Sequence, residues 1–149
     1  MSGVRAGAET AIGPFWVEEA EGRLTAAGWG VAPPPKGGLA AEALAQLAAY
    51  LAGTRREFDL PLDLGPKARN LQALADIPYG ETITYGDLAA RLGISAQGAG
   101  QVCGSNHLPI FVPCHRVLGA GSLGGYSGAG GIETKVWLLR LEGAAGLLI

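Results

Sequence analysis

Cysteine, basic residues and long apolar runs are all scarce in this chain of 149 residues. Its two cysteines, Cys103 and Cys114, are too few for a disulfide framework, and with only His107 and His115 to assist them they form no four-ligand zinc pattern. We therefore expect reduced thiols and no metal. Because no apolar run is long enough to span a bilayer and residues 1–9 lack the apolar core of a signal peptide, the sequence predicts a cytoplasmic protein without a membrane partner.

Charge is spread thinly along the chain. Residues 1–65 carry five basic and eight acidic residues, a net charge of −3, whereas residues 66–149 carry six basic and five acidic residues, a net charge of +1. Contacts from Lys and Arg to phosphates supply most of the non-specific affinity of a nucleic-acid-binding protein. If this chain binds DNA, we expect it to do so weakly and through few ion contacts.

The first half of the chain predicts a small sheet and one helix. Residues 12–25 alternate loosely, as a hairpin does, and residues 58–64, which contain a proline, indicate an edge strand or a linker. Between them, apolar residues recur at helical spacing, and Gly53 stands where this helix should end. The residues at helical spacing are Leu39, Ala43, Leu44, Leu47 and Leu51.

The second half contains two consecutive helix signals. Thr84 followed by Asp87 predicts a capping box that opens a helix ending at Gly93, and Ser95 predicts the cap of a second helix. A helix, a short turn with glycine and a second helix are typical of a helix-turn-helix. The second helix, over residues 95–104, is rich in small residues, which suits either tight internal packing or a close approach of its backbone to a partner.

Together these elements predict an α+β fold of two domains. Residues 1–64 would form a small N-terminal β-sheet domain with one helix, and residues 65–149 a C-terminal helical domain of the winged helix-turn-helix type. The Gly-rich residues 119–131 would supply the wing. This stretch lacks the Gly-Lys-Ser/Thr ending of a P-loop, and no strand–GxGxxG–helix unit is evident in the sequence, which argues against nucleotide binding.

The most informative stretch is Pro113-Cys114-His115-Arg116-Val117. It places one of the two cysteines beside a base and a cation, after a rigid proline. A thiol reacts as the thiolate, and a neighbouring imidazole or guanidinium makes the thiolate more accessible near neutral pH. Residues 109–113 indicate a short buried extended run, so Cys114 is expected where a strand-like segment turns. On these residues alone, a buried structural cysteine beside an incidental histidine is the other interpretation.

Further short segments accompany this motif along the chain. They are Ile12-Gly13-Pro14, residues 50–53, residues 57–63, residues 77–82, Thr84-Tyr85, Asn106, residues 124–127, Lys135 and Leu138-Leu139. With the highly specific motif at Cys114, they resemble the O6-alkylguanine-DNA alkyltransferase family over nearly the whole chain. The resemblance implies direct DNA repair, in which one alkyl group passes irreversibly from O6-alkylguanine, or from O4-alkylthymine, to a single cysteine without any cofactor.

The resemblance also implies roles for individual residues. Cys114 would accept the alkyl group, His115 would take the thiol's proton through a water, and Glu142 would orient the imidazole. Asn106 would brace the turn around Cys114, and Tyr85 would donate a proton or hydrogen bond to the guanine. The residues that would contact the substrate or the DNA are Ala96, Gln97, Gly100, Cys103, Val117, Tyr126 and Ser127.

Four of these residues also have simpler interpretations. Tyr85 suits the first turn of an amphipathic helix, and Glu142 suits a solvated position on a terminal helix. Asn106 is an ordinary turn former, and Cys103 is the size of a small core thiol. The sequence alone does not separate these interpretations from the catalytic ones.

The chain departs from the family's pattern in the helix that would enter the minor groove of double-stranded DNA. Gln97 stands where the family has a base-displacing arginine, Gly104 where a basic residue is common, and Asn106-His107 where the family has Asn-Pro. Gln97 can still fill the gap left by an extruded base and bond to the orphaned partner, but it brings no cation to the phosphates. Affinity for the duplex is the property that these departures affect.

Three functions therefore stay open at this point. The first is repair of alkylated duplex DNA by a monomer. The second is the same thiol chemistry on single-stranded DNA, free alkylguanine or another alkylated small molecule, which the missing arginine and the acidic net charge favour. The third is binding of the lesion without repair, against which the presence of Cys114 argues.

Overall fold

The computed structural model describes residues 3–144. They divide into two compact units, one on each side of the boundary between Gly65 and Pro66. Within the described residues, no helix has both the length and the apolar character that a bilayer crossing requires.

The first unit is a three-stranded antiparallel sheet with one helix packed on it. Strands β1 (Val4–Thr10), β2 (Gly13–Ala20) and β3 (Arg23–Trp29) pair in the order β1-β2-β3. The turn between β2 and β3, Glu21-Gly22, has positive φ at both residues, which matches the twist of a tight hairpin. Helix α1 (Gly38–Leu51) packs on the sheet. Large side chains buried in this unit are Phe15, Val17, Leu24, Leu47 and Tyr50.

The sequence predicts the β2–β3 hairpin and α1, but it does not predict β1. The seven residues of β1 include two alanines and a glycine, which have little strand propensity, so pairing with β2 along the whole strand makes this segment extended. Residues 58–64 contact the free edge of β3. The Leu24 N–H donates to Pro61 O over 2.9 Å, and the Asp63 N–H donates to Leu24 O over 2.8 Å.

As far as residue 144, the second unit contains four α-helices and a short ladder. The helices are α2 (Ala68–Ala75), α3 (Tyr85–Leu92), α4 (Ala96–Gly104) and α5 (Ile132–Leu141). Strands β4 (Ile83–Thr84) and β5 (Val117–Leu118) pair in parallel. This pairing places the start of α3 beside the residues that follow Cys114.

The helix-turn-helix is confirmed at its caps. The Thr84 side chain accepts from the Asp87 N–H over 3.0 Å, and Asp87 accepts from the Thr84 N–H over 3.0 Å, so the capping box is complete. Gly93 ends α3 with a φ of 68°, a left-handed conformation that suits glycine. Ser95 then caps α4 by accepting from the Gly98 N–H over 3.0 Å. Helices α3 and α4 pack against each other, and the fold is α+β as the sequence predicts.

The extended run predicted over residues 109–113 is wrong. Ile110 has a φ of 74°, and the Val112 N–H donates to Leu108 O over 2.8 Å, so the segment is a folded turn with buried apolar side chains. The reason lies in Asn106, whose side chain accepts from the Leu108 N–H over 3.0 Å and donates to Val112 O over 2.8 Å. These two bonds satisfy backbone groups that a strand would have paired with a neighbour.

Candidate active site

Cys114 opens a single 3₁₀ turn, Cys114–Arg116, and lies on the wall of a cavity of about 300 Å³. Only 5% of the residue is exposed. The cavity brings together residues from α3, α4, the Cys114 turn and the Gly-rich segment. Its lining residues are Tyr85, Gly100, Cys103, Gly104, Cys114, Gly125, Tyr126 and Ser127. Besides Cys114, five of the site residues predicted from the sequence therefore line this cavity, namely Tyr85, Gly100, Cys103, Tyr126 and Ser127.

Behind Cys114, His115 and Arg116 converge on one buried carboxylate. His115 Nε2 lies 2.8 Å from Glu142 Oε2. Arg116 donates from Nε to Glu142 Oε1 over 2.9 Å and from Nη2 to Glu142 Oε2 over 2.8 Å. Both the imidazole and the carboxylate are fully buried. Glu142 directly follows the last residue of α5. Because it is buried and bonded to His115 and Arg116, it is an internal partner of the Cys114 turn and not a solvated residue of a terminal helix.

Arg116 also ties this cluster to the segment between α2 and β4. Its Nη1 donates to Ile77 O over 2.6 Å, and the Gly80 N–H donates to Glu142 Oε1 over 3.3 Å. Removing one partner of such a buried pair costs about 3–5 kcal/mol of stability, because the other charge then stays buried without compensation. Arg116 therefore holds the Cys114 turn in place.

Lys135 is a site residue whose position the sequence analysis did not interpret. It is fully buried on α5, and its Nζ donates to Val117 O over 2.7 Å and to Gly125 O over 3.0 Å. One cation thus joins the residues after Cys114 to the Gly-rich wall of the cavity. The signal available in the sequence was helical spacing, because Lys135 lies three and four residues before Leu138 and Leu139 and so shares their buried face of α5.

Tyr85 lies at the first position of α3 and faces the Gly-rich segment. A Cβ at Gly124 would come within 2.7 Å of Tyr85 Cε2, and Gly124 has a φ of 70°. Only glycine fits at this position, since it allows both the close approach and the backbone conformation. Burial raises the pKa of the Tyr85 phenol, as do the nearby thiols of Cys103 and Cys114, while a hydrogen bond with the Gly125 backbone lowers it. Tyr85 is therefore held as a protonated donor.

The electrostatics of Cys114 differ from the sequence expectation. Burial raises the pKa of the Cys114 thiol, whereas a hydrogen bond from Asn106 and the charge of Lys135 lower it, with a raised pKa as the result. The Arg116 guanidinium is paired with Glu142 and does not act on the thiol as predicted from the motif. Burial lowers the pKa of His115 below 6.5, against the hydrogen bond and charge of Glu142, which raise it. The resting pair is therefore a protonated thiol beside a neutral imidazole.

Cys103 is a weaker candidate nucleophile than Cys114. Burial, followed by the electrostatic interaction with Cys114, raises the pKa of Cys103 to about 12. Its side chain lines the cavity near the end of α4, so it is a wall residue and also a small, largely buried thiol. Ala96 and Gln97 lie at the start of α4, exposed and away from the cavity wall. Burial also raises the pKa of Tyr126, another wall residue.

Comparison with known proteins identifies the family. Residues 67–144 match the model described as the DNA-binding domain of 6-O-methylguanine DNA methyltransferase. The chain therefore belongs to the 6-O-methylguanine DNA methyltransferase family, as the resemblance in the sequence predicts.

Individual relatives agree with this assignment. The methylated-DNA–protein-cysteine methyltransferase of Mycobacterium leprae is 46% identical over 72% of this chain and 68% of its own length. The DNA base-flipping protein of Thermus thermophilus is 40% identical over 91% of this chain and 97% of its own length. Among solved structures, the Mycobacterium tuberculosis protein OGT in complex with DNA superposes with a TM-score of 0.81 at 39% identity, covering 93% of this chain and 92% of that one.

Proposed function

We propose that this protein repairs O6-alkylguanine in DNA by moving the alkyl group to Cys114. The observation that carries the proposal is the position of the Cys114 thiol. It lies on the wall of a cavity beside Tyr85 and directly before a buried His115–Glu142 pair, in a chain of this family. In this reaction the Cys114 sulfur forms a bond to the alkyl carbon as the bond from that carbon to O6 breaks. The thioether that forms cannot be discharged by the chain, so each molecule acts once.

His115 acts as the base that activates the thiol. Glu142 holds Nε2, so the neutral imidazole carries its proton on that nitrogen and accepts the thiol's proton at Nδ1, through a water. Glu142 stabilises the imidazolium that results. The positive charge of Lys135 favours the sulfur anion as it forms.

The cavity wall recognises guanine by hydrogen bonds. Tyr85 donates its proton or a hydrogen bond to the base as the leaving group gains negative charge, and the Ser127 amide holds O6. The carbonyls of Cys114 and Val117 accept from the exocyclic amine. Val117 O already accepts from Lys135, but a carbonyl oxygen has two lone pairs. Tyr126 closes the wall, and residues 65–149 are thus the DNA-binding and alkyl-acceptor domain.

The direct test is an intact-mass measurement after incubation with a duplex oligonucleotide that contains one O6-methylguanine. We expect a single added methyl group on the protein and an equal amount of restored guanine in the oligonucleotide. A protein that binds the oligonucleotide but keeps its mass would instead be a lesion binder without transfer activity. The presence of Cys114 favours transfer.

The rate of transfer should depend on pH through His115. Because burial lowers the pKa of His115, the imidazole stays neutral and competent as pH falls to 6.5, and the rate should drop only below that value. In His115→Ala the rate should follow the thiolate instead. It should then keep rising with pH beyond roughly 8.5, the ordinary pKa of a thiol, because the pKa of Cys114 is raised.

Single-turnover rates of both proteins across a pH series check this expectation. A wild-type rate that climbs tenfold per pH unit through neutrality would show that the thiolate forms before the reaction, without a base. The lowered pKa of His115 keeps its neutral, basic form present at lower pH. The raised pKa of Cys114 confines its thiolate to higher pH.

A second candidate function is the same transfer from single-stranded DNA or free alkylguanine. It is favoured by Gln97, which is exposed on α4 where the family has a cation, and by the small net charge of residues 66–149. Extruding a base costs a few kcal/mol and costs least when the base is already unpaired. Transfer from single strands should therefore be less disadvantaged, relative to duplex, than in relatives that carry the arginine.

Gln97→Arg should tighten duplex binding and steepen its salt dependence by about one unit, because one phosphate contact releases close to one counterion. Affinity titrations of wild type and variant at several salt concentrations measure both effects. Gln72→Arg, at an exposed position of α2, is the matched control for an added charge. Equal slopes and affinities for Gln97→Arg and wild type would place Gln97 outside the DNA interface.

A further inference from the structure

Helix α4 presents an exposed face without charge. Its nine residues include no acidic or basic side chain. The exposed positions are Ala96, Gln97, Gly100, Gln101 and Gly104. Gly100 and Gly104 border the cavity that holds Cys114, so the face continues directly into the proposed entrance for the extruded base.

The two glycines leave this face open. A Cβ at Gly100 or at Gly104 would meet no atom within 4 Å, so neither glycine is needed to let another part of the protein approach the helix. Their effect is to clear the outer surface. Gln97 and Gln101 are then the only polar side chains on the exposed face of α4.

The spacing of the two glutamines places their side chains on the same side of the helix. Residues four apart lie one above the other, and a rise of 1.5 Å per residue separates them by about 6 Å along the axis. Base pairs in a duplex are about 3.4 Å apart. If α4 lies along the minor groove with Gln97 in the gap left by the extruded base, Gln101 stands about two base-pair steps away from that gap.

We propose that Gln101 is a specificity-determining residue that reads the minor-groove edge of a base pair about two steps from the extruded guanine. This inference rests on the proposed function and names a part of its substrate. A side-chain amide offers both donors and an acceptor. The minor groove offers acceptors at every pair and an additional N–H donor at G·C pairs, so a single amide can distinguish G·C from A·T there. Because α4 carries no cation, hydrogen bonds from its side chains rather than ion pairs would select among DNA sequences.

The experiment compares transfer from a panel of duplexes that carry O6-methylguanine and differ only in the base pairs one, two and three steps to either side. Second-order rate constants are measured for wild type, Gln101→Ala and Gln101→Glu, each relative to transfer from free O6-benzylguanine. Gln72→Ala is the control, because Gln72 is an equally exposed glutamine on α2 that bonds to Asp76.

We expect wild type to prefer one class of base pair about two steps from the lesion, and Gln101→Ala to lose that preference. The ratio of duplex to free-base transfer should fall roughly 2- to 10-fold in Gln101→Ala, the effect of one lost hydrogen bond, and further in Gln101→Glu, whose carboxylate repels phosphates. Gln72→Ala should keep the wild-type pattern.

A Gln101→Ala protein with the wild-type preference at every position would overturn the proposal. If wild type transfers nothing from any substrate, free O6-benzylguanine included, the proposed function fails instead. Affinity titrations with the same duplexes then test Gln101 without requiring transfer, and a Gln101→Ala affinity pattern equal to that of wild type would again overturn its role.

Discussion

Cys114→Ser should abolish transfer completely, while the protein keeps its fold. The serine hydroxyl ionises far less readily than a thiol and is a much weaker nucleophile towards an alkyl carbon, so nothing replaces the carbon–sulfur bond. Cys114 is 5% exposed and the exchange removes no methylene, so the cavity wall should be preserved. Intact mass after incubation with an O6-methylguanine duplex should show no added methyl group. The midpoint of thermal unfolding should stay close to that of wild type.

The second thiol supplies the matched control. Cys103 lines the same cavity, but burial raises its pKa to about 12, and its neighbours in the sequence are Val102 and Gly104 rather than a histidine. Cys103→Ser should still take up one methyl group, and peptide mapping of wild type should place that group on Cys114. A label on Cys103 with Cys114 unmodified would refute the assignment of the nucleophile.

Local signals in the sequence define the helix-turn-helix of the second unit well. The capping box at Thr84 and the cap at Ser95 are formed by residues within three positions of each other, so they can be predicted without knowledge of the rest of the chain. The same holds for Gly93, which ends α3 in a left-handed conformation. The helix-turn-helix could therefore be predicted from spacing alone.

Long-range contacts explain what the sequence does not predict. The strand conformation of β1 depends on its pairing with β2, since its own residues have weak strand propensity. The turn over residues 109–113 depends on Asn106, which bonds to Leu108 and Val112. An apolar run between two prolines is compatible with either a strand or a turn, and the tertiary partner decides between them.

Long-range contacts also decide which cation of the active site acts on the Cys114 thiol. In the motif, Arg116 stands two residues after Cys114. The fold, however, directs its guanidinium to Glu142. The cation that acts on the thiol is Lys135, which lies 21 residues after Cys114 in the chain. The motif therefore indicated the wrong cation for the thiol, because Arg116 pairs with Glu142, a residue far along the chain.

Removing the base should slow transfer by roughly 10²–10⁴-fold, the usual contribution of a positioned general base. We expect this loss in His115→Ala and, to a similar extent, in Glu142→Gln, because the amide no longer stabilises the imidazolium or fixes its tautomer. The two changes act on one unit, so the double variant should be little slower than either single variant. Single-turnover rates with saturating substrate measure all three.

Glu142→Gln has a second effect that must be separated from the first. Its carboxylate also pairs with Arg116, so the variant leaves a buried guanidinium without a counter-charge, at a cost of about 3–5 kcal/mol in stability. Arg116→Met is the matched control, since it breaks the ion pair and keeps the His115–Glu142 contact. Arg116→Met should lower the midpoint of thermal unfolding. Its transfer rate, measured well below that midpoint, should change little. Rates that stay at the wild-type value in both His115→Ala and Glu142→Gln would show that neither residue activates the thiol, and that burial and Lys135 alone govern Cys114.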